Sequence, residues 1–168
     1  MVLGGSLRDL WVKLAVGGVI IVVDDHRRAT LSFAAQRFGI DVYPISMQAT
    51  SIVAARRLLA VIRELQKGKA TYLAPDGPDG PSHIPKEGIL HIAQRSNSLI
   101  LPGAAYTTTC YRRKRWDRYA IPLPFSRITA VLGEPIDLSE VSDTQKALAF
   151  LTQRLNEVEE AAEALHKQ

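Results

Sequence analysis

Ala70 to Gly88 reads ATYLAPDGPDGPSHIPKEG, and three kinds of local chemistry follow one another within it. Residues 70–74 are a β-like run. Two copies of Pro-Asp-Gly come next, and a helical pattern opens near Lys86. In each copy the proline presets φ, the aspartate can bond its own backbone, and the glycine accepts a positive φ. Two such turns in tandem make a stiff polar loop that extends neither strand nor helix. A stiff loop between a strand and a helix is a place where α/β proteins hold ligands.

Working outward, the same alternation recurs. Upstream, Gly18–Val23 (GVIIVV) is a continuous apolar run, as in a strand covered on both faces. Helical spacing of Leu31, Ala34, Ala35 and Phe38 predicts a helix over 26–38. A short strand over 41–45 follows, then a helix over 52–67 with Val53, Leu58, Val61, Ile62 and Leu65 inward. Downstream, the pattern predicts a helix over 86–96 with Ile89, Ile92 and Ala93 inward, with His91 read as a core or boundary residue. A strand over 99–106 and a last strand over 127–132 come after it. A final helix over 142–167 carries Leu148, Leu151, Leu155, Val158, Ala162 and Leu165 as a stripe to pack on the body. The expected fold class is α/β: one domain, a mostly parallel or mixed sheet with helices on both faces, and a C-terminal amphipathic helix.

Composition narrows the function classes. The chain has 168 residues, enough for a sizeable core, and 46% are hydrophobic against 23% charged, as in globular proteins. The longest apolar run, Leu14–Val23, is about half the ~20 residues that span a bilayer, so no transmembrane segment is expected. Cys110 is the only cysteine, which excludes an intrachain disulfide and suits a reducing compartment. The four histidines show no metal-ligand spacing. The net charge of +4 sits in Tyr111–Arg118, YRRKRWDR, while the rest of the chain balances. A basic knot on a neutral body implies a local anionic partner.

The ordered series PDGPDGP, Lys86-x-Gly88, Leu101-Pro102, Arg115-Trp116-Asp117, IPLPFSR and Gly133-Glu134-Pro135-Ile136 resembles the lysophospholipid-acyltransferase-like superfamily. Within it, the series is most similar to the bacterial branch called domain of unknown function 374. The resemblance is specific from about Gly68 to Ile136 and one of pattern alone upstream. It implies transfer of a fatty acyl group from an acyl thioester to a lipid hydroxyl in glycerolipid or glycolipid metabolism. Acyl-coenzyme A or acyl carrier protein would be co-substrate, with no resident cofactor or metal. It also implies a cytoplasmic protein in peripheral contact with the anionic inner face of the cell membrane.

Carried over residue by residue, Pro75-Asp76-Gly77 stands where the superfamily has Pro-Glu-Gly, and Asp79 stands where it often has arginine. The substrate-binding residues so implied are Asp76, Gly77, Asp79, Gly80 and Lys86, with Arg112, Arg113, Arg115 and Trp116 from the basic knot. The superfamily's His-x-x-x-x-Asp pair, in which a carboxylate-held histidine takes the acceptor's proton, is missing from the sequence. The expectation is therefore one acyltransferase-like domain over 1–168 without the family's N-terminal strand and catalytic histidine segment. His26 and Asp25 are the weak candidates for a base. Two other classes stay open: a non-catalytic lipid- or acyl-binding module that kept the fold, and nucleic-acid binding through 111–118. For the latter, one short basic knot without a known motif is a poor footprint.

Overall fold

The structure, a computed structural model, describes residues 2–4, 18–23, 41–45, 51–77, 79–112, 114, 118, 120–138 and 141–168. The helix expected over 26–38, and with it His26 and Asp25, lies outside the described residues, as do Arg113, Arg115 and Trp116.

Parallel pairing organises the first half. Strand β1 (Val2–Gly4), β2 (Gly18–Val23), β3 (Asp41–Ile45), β4 (Ala70–Tyr72) and β5 (Ser98–Ile100) form one sheet in the order β3-β2-β4-β1-β5. β2 runs parallel to β3 and β4, while β1 is antiparallel to β4 and β5. The sheet is therefore mixed. β2, β3 and β4 point their C-terminal ends the same way, so the Pro-Asp-Gly loop leaves the sheet at that shared edge.

Helix α1 (Ser51–Gln66) feeds β4 through a charged corner. Gly68, at φ +91, ends the helix as a left-handed residue, and the Glu64 carboxylate bridges Lys67 Nζ at 2.7 Å and Lys69 Nζ at 2.8 Å. Both ammonium groups favour the ionised acid, Lys67 first, and hold the Glu64 pKa at about 2 instead of 4.5. Within α1, Val61, Ile62 and Leu65 are buried as their spacing predicts, but Val53 is exposed.

Helix α2 (Glu87–Ser96) buries Ile89, Leu90, Ile92 and Ala93 and closes on Asn97, whose left-handed backbone returns its N–H to Ala93 and Gln94. His91 lies on the opposite side of this helix and is exposed, contrary to its expected core or boundary place.

The run expected as one strand over 99–106 is two. β5 ends at Ile100, and β6 (Gly103–Tyr106) starts after Leu101-Pro102 to pair antiparallel with β9 (Thr129–Leu132). Pro102 has no N–H to continue a ladder, yet its carbonyl accepts from Gly133 N at 2.9 Å. Ile100 and Ile136 exchange both backbone hydrogen bonds, at 2.9 and 2.8 Å. A further two-stranded ribbon, β7 (Cys110–Arg112) with β8 (Ala120–Pro122), carries part of what reads in sequence as a basic knot and a proline-stiffened loop.

Helix α3 (Thr144–His166) packs on β6 and β9 and starts from Asp143, which accepts from the Gln145 and Lys146 N–H groups. Ala147, Leu151, Val158 and Ala162 are buried, and Leu165 is exposed. Leu151, Ile100, Val61, Leu65, Ile136 and Ile89 meet in one core, so α1, α2, β5 and α3 share an interior. The far end of α3 is pinned. His166 ring nitrogens lie 3.3 Å from Thr108 Oγ1 and 3.0 Å from Thr129 Oγ1, and Arg127 donates to the carbonyls of Leu165 and His166. A guanidinium at a helix C-terminus also complements its dipole.

Two outcomes follow. A Cβ on Gly133 would sit 2.7 Å from Val158 Cγ1 and 3.2 Å from the Pro102 ring. Gly133→Ala should therefore cost ~1–3 kcal/mol by overpacking, read from urea unfolding midpoints; a neutral result would mean that α3 yields freely. Glu64 has a depressed folded-state pKa, so its stabilisation is complete above about pH 4.5 and disappears as the pH falls toward 2. Glu64→Gln should melt below wild type at neutral pH, and the two melting curves should converge across that window.

Candidate functional site

Two turns shape the loop after β4. Gly77 N donates to Ala74 O at 3.2 Å, and Gly77 takes φ +71, the conformation its place in the first Pro-Asp-Gly copy calls for. Gly80, at φ +67, does the same in the second copy, ahead of a cis bond to Pro81. The loop is then tied back on itself, because Lys86 N donates to Pro75 O at 2.8 Å. The start of α2 is thus fixed to the first proline of the loop. The Lys86 stem lies against Gly77, with Lys86 Cγ 3.6 Å from where a Cβ on Gly77 would be.

Beside this loop is a cavity of about 170 Å³. Pro75, Asp76, Ser82, His83 and Pro85 form its loop wall, Gly103 and Ala104 of β6 its floor, and Leu155, Asn156 and Glu159 of α3 its far wall. At ~30 Å³ per water the space holds a group of roughly five or six water volumes, about the polar end of a small molecule. Asp76 is half-buried, and its carboxylate makes no hydrogen bond or ion pair among the described residues. It is thus left to face the cavity.

On the same loop wall, His83 Nδ1 lies 3.2 Å from Glu159 Oε2. His83 has φ +64, a left-handed conformation that costs a non-glycine residue ~1–2 kcal/mol. The loop holds the ring in that position against α3. A carboxylate only accepts, so Glu159 can take a hydrogen bond from Nδ1–H, and both side chains are exposed where they meet. Asp76, His83 and Glu159 wall one cavity without gathering into a metal-ligating group, and the described residues contain no such group.

The residues singled out from sequence separate into two places. Asp76 lines the cavity, and Gly77 and Gly80 shape its loop. Asp79 and Lys86 are exposed and line no part of it, and Arg112 lies on the β7–β8 ribbon, also outside the lining. The cavity walls come from β6 and α3, elements that the sequence gives no reason to place beside the loop. His83 and Glu159 lie 76 positions apart, so no spacing motif links them. The only local signal was the Ser-His pair closing a loop already picked out as a ligand holder.

No family model matches the chain. It is 36% identical over 125 residues to an uncharacterized protein of Rickettsia prowazekii (strain Madrid E); the match takes in 74% of this chain and 55% of that protein. Among solved structures, it is similar to the 1-acyl-sn-glycerophosphate acyltransferase of Thermotoga maritima, at a TM-score of 0.56 and 16% identity, over 86% of this chain and 56% of that one. The chain thus spans just over half the length of each. At that level of identity the likeness is one of architecture, and the architecture is an acyltransferase-like α/β fold.

Proposed function

We propose that this chain is an acyltransferase-like protein of glycerolipid or glycolipid metabolism. In this reading a fatty acyl group moves from the thioester of acyl-coenzyme A or acyl carrier protein to a lipid hydroxyl, at an anionic membrane surface. One observation carries it: in a fold shared with a lysophosphatidic acid acyltransferase, the Pro-Asp-Gly loop and a carboxylate-held histidine wall the same cavity. The series PDGPDGP, Trp116-Asp117, IPLPFS and Gly133-Glu134-Pro135-Ile136 supports membership of the branch named from sequence.

The cavity chemistry favours a particular end of the acceptor. Asp76 and Glu159 bring two carboxylates to the wall, and among the described residues the lining includes neither lysine nor arginine. Acceptor-only groups suit hydroxyl donors and repel phosphate. The acceptor's hydroxyl-bearing end therefore enters here, with Asp76 orienting it. His83 Nε2 takes the hydroxyl proton as that oxygen attacks the thioester carbonyl. The C–S bond breaks, and the departing thiolate recovers the proton from His83. Asp79 and Lys86, exposed at the loop rim, would meet the donor or acceptor outside this cavity. Arg112, Arg113, Arg115 and Trp116 would hold the protein against anionic headgroups.

Acyl transfer from acyl-coenzyme A to a lysophospholipid or a glycolipid, measured separately from acceptor binding, tests the reading. Asp76→Asn should weaken acceptor binding roughly tenfold, the scale of one hydrogen bond to a charged group. His83→Gln should lower turnover by about 100-fold or more while acceptor binding is kept. If neither acceptor binds, the cavity assignment fails. If one binds and wild type shows no transfer, the chain is a binding module on an acyltransferase fold.

A further inference from the structure

The turn after the β7–β8 ribbon displays a phenylalanine in a way that packing does not explain. Ser126 N donates to Leu123 O at 3.1 Å, closing a four-residue turn with Pro124 and Phe125 at its centre. Phe125 takes φ +66. Proline second and a positive φ third define a type II turn, whose third place normally holds glycine or asparagine. Phe125 carries that backbone strain and is wholly exposed, so its ring buries nothing in return.

The display is fixed. Leu123 N donates to Thr109 O at 3.1 Å on one side of the turn, and Arg127 grips the end of α3 on the other. The apolar surface continues from the tip along one face of the ribbon. Tyr111 pairs directly with Ile121, and Leu123 follows two residues later, so the three side chains share a face; all three are exposed. Arg112 on the ribbon's other face, and Lys114 and Arg118 in the segment joining its strands, are exposed and make no ion pair among the described residues. A rigid apolar ridge with a protruding aromatic tip and a cationic flank matches the interface of an anionic bilayer: apolar groups enter the acyl boundary, and the cations stay with the headgroups. An aqueous protein partner would also have to supply a pocket for the ring, whereas a bilayer needs none.

We infer that Tyr111, Ile121, Leu123 and Phe125 form an insertion ridge that enters an anionic membrane, with Phe125 as its deepest point. This rests on the membrane-surface part of the function proposed above and adds an apolar anchor to the basic contact. It holds whether or not the chain transfers an acyl group.

Flotation with vesicles of phosphatidylcholine alone, or with phosphatidylglycerol added, tests it on the whole chain. Phe125→Gly should lower affinity for the mixed vesicles by about tenfold or more, the effect of losing a buried phenylalanine. Its melting temperature should be unchanged or higher, because glycine suits the turn. Phe125→Trp should keep the affinity. The triple variant Arg112→Ala, Lys114→Ala, Arg118→Ala should lose the preference for phosphatidylglycerol and the sensitivity to salt. Equal vesicle affinity of Phe125→Gly and wild type overturns the anchor while leaving the basic contact standing. No vesicle binding by wild type overturns both. Self-association without vesicles that Phe125→Gly abolishes would assign the ridge to a second copy of the chain and overturn the proposal.

Discussion

The seam where residues 100–102 meet 133–136 carries the architecture. On one side Ile100 is the last residue of the mixed sheet; on the other, three backbone hydrogen bonds draw in the segment that follows β9. Gly133 leaves no room there for a side chain, so Val158 of α3 comes down almost onto the backbone. The sheet, the β6–β9 pair and α3 thus reach their mutual positions through one contact region. Leu151 and Ile100, both buried, extend it inward to α1 and α2. Because α3 is set by this seam, so is the distance from Glu159 to the loop that bears His83.

That dependence explains why the cavity is made of parts so far apart in sequence. A loop of two tight turns has little freedom of its own, and the tie from Lys86 N to Pro75 O removes more. α3 arrives from the opposite direction with its register fixed by Asp143 at one end and the His166 contacts at the other. Two preset bodies face each other across Gly103 and Ala104, and their polar groups do not have to be ordered by a ligand.

Much of this was legible in the chain. A continuous apolar run marked β2 and a β-like run marked β4, helical spacing marked α1, α2 and α3, and the two Pro-Asp-Gly copies marked the loop. What was illegible has physical causes. β1 is three residues long and shows no period, and its place between β4 and β5 depends wholly on nonlocal pairing. LILPGAAY reads as one strand because its apolar residues run on without a polar interruption, and Pro102-Gly103, both poor strand formers, are the local hint of the break. Val53 fits the helical stripe of α1 yet is exposed, because spacing tells which side a residue is on but not how far its cover extends. His91 looked enclosed by apolar neighbours in sequence but faces the other way round the helix. Asp76 stood out from its turn chemistry alone. His83 and Glu159 could not, since their pairing is set by the seam and by the dihedral of a single loop residue.

The grip of Arg127 on the last carbonyls of α3 has a geometric meaning. Arg127 is the second residue after Phe125, and seven residues of helix, about 10 Å at 1.5 Å per residue, separate His166 from Glu159. The 123–126 turn and the Glu159 carboxylate are thus placed by the same C-terminal stretch of α3, so the protein's edge and the cavity wall share one positional reference.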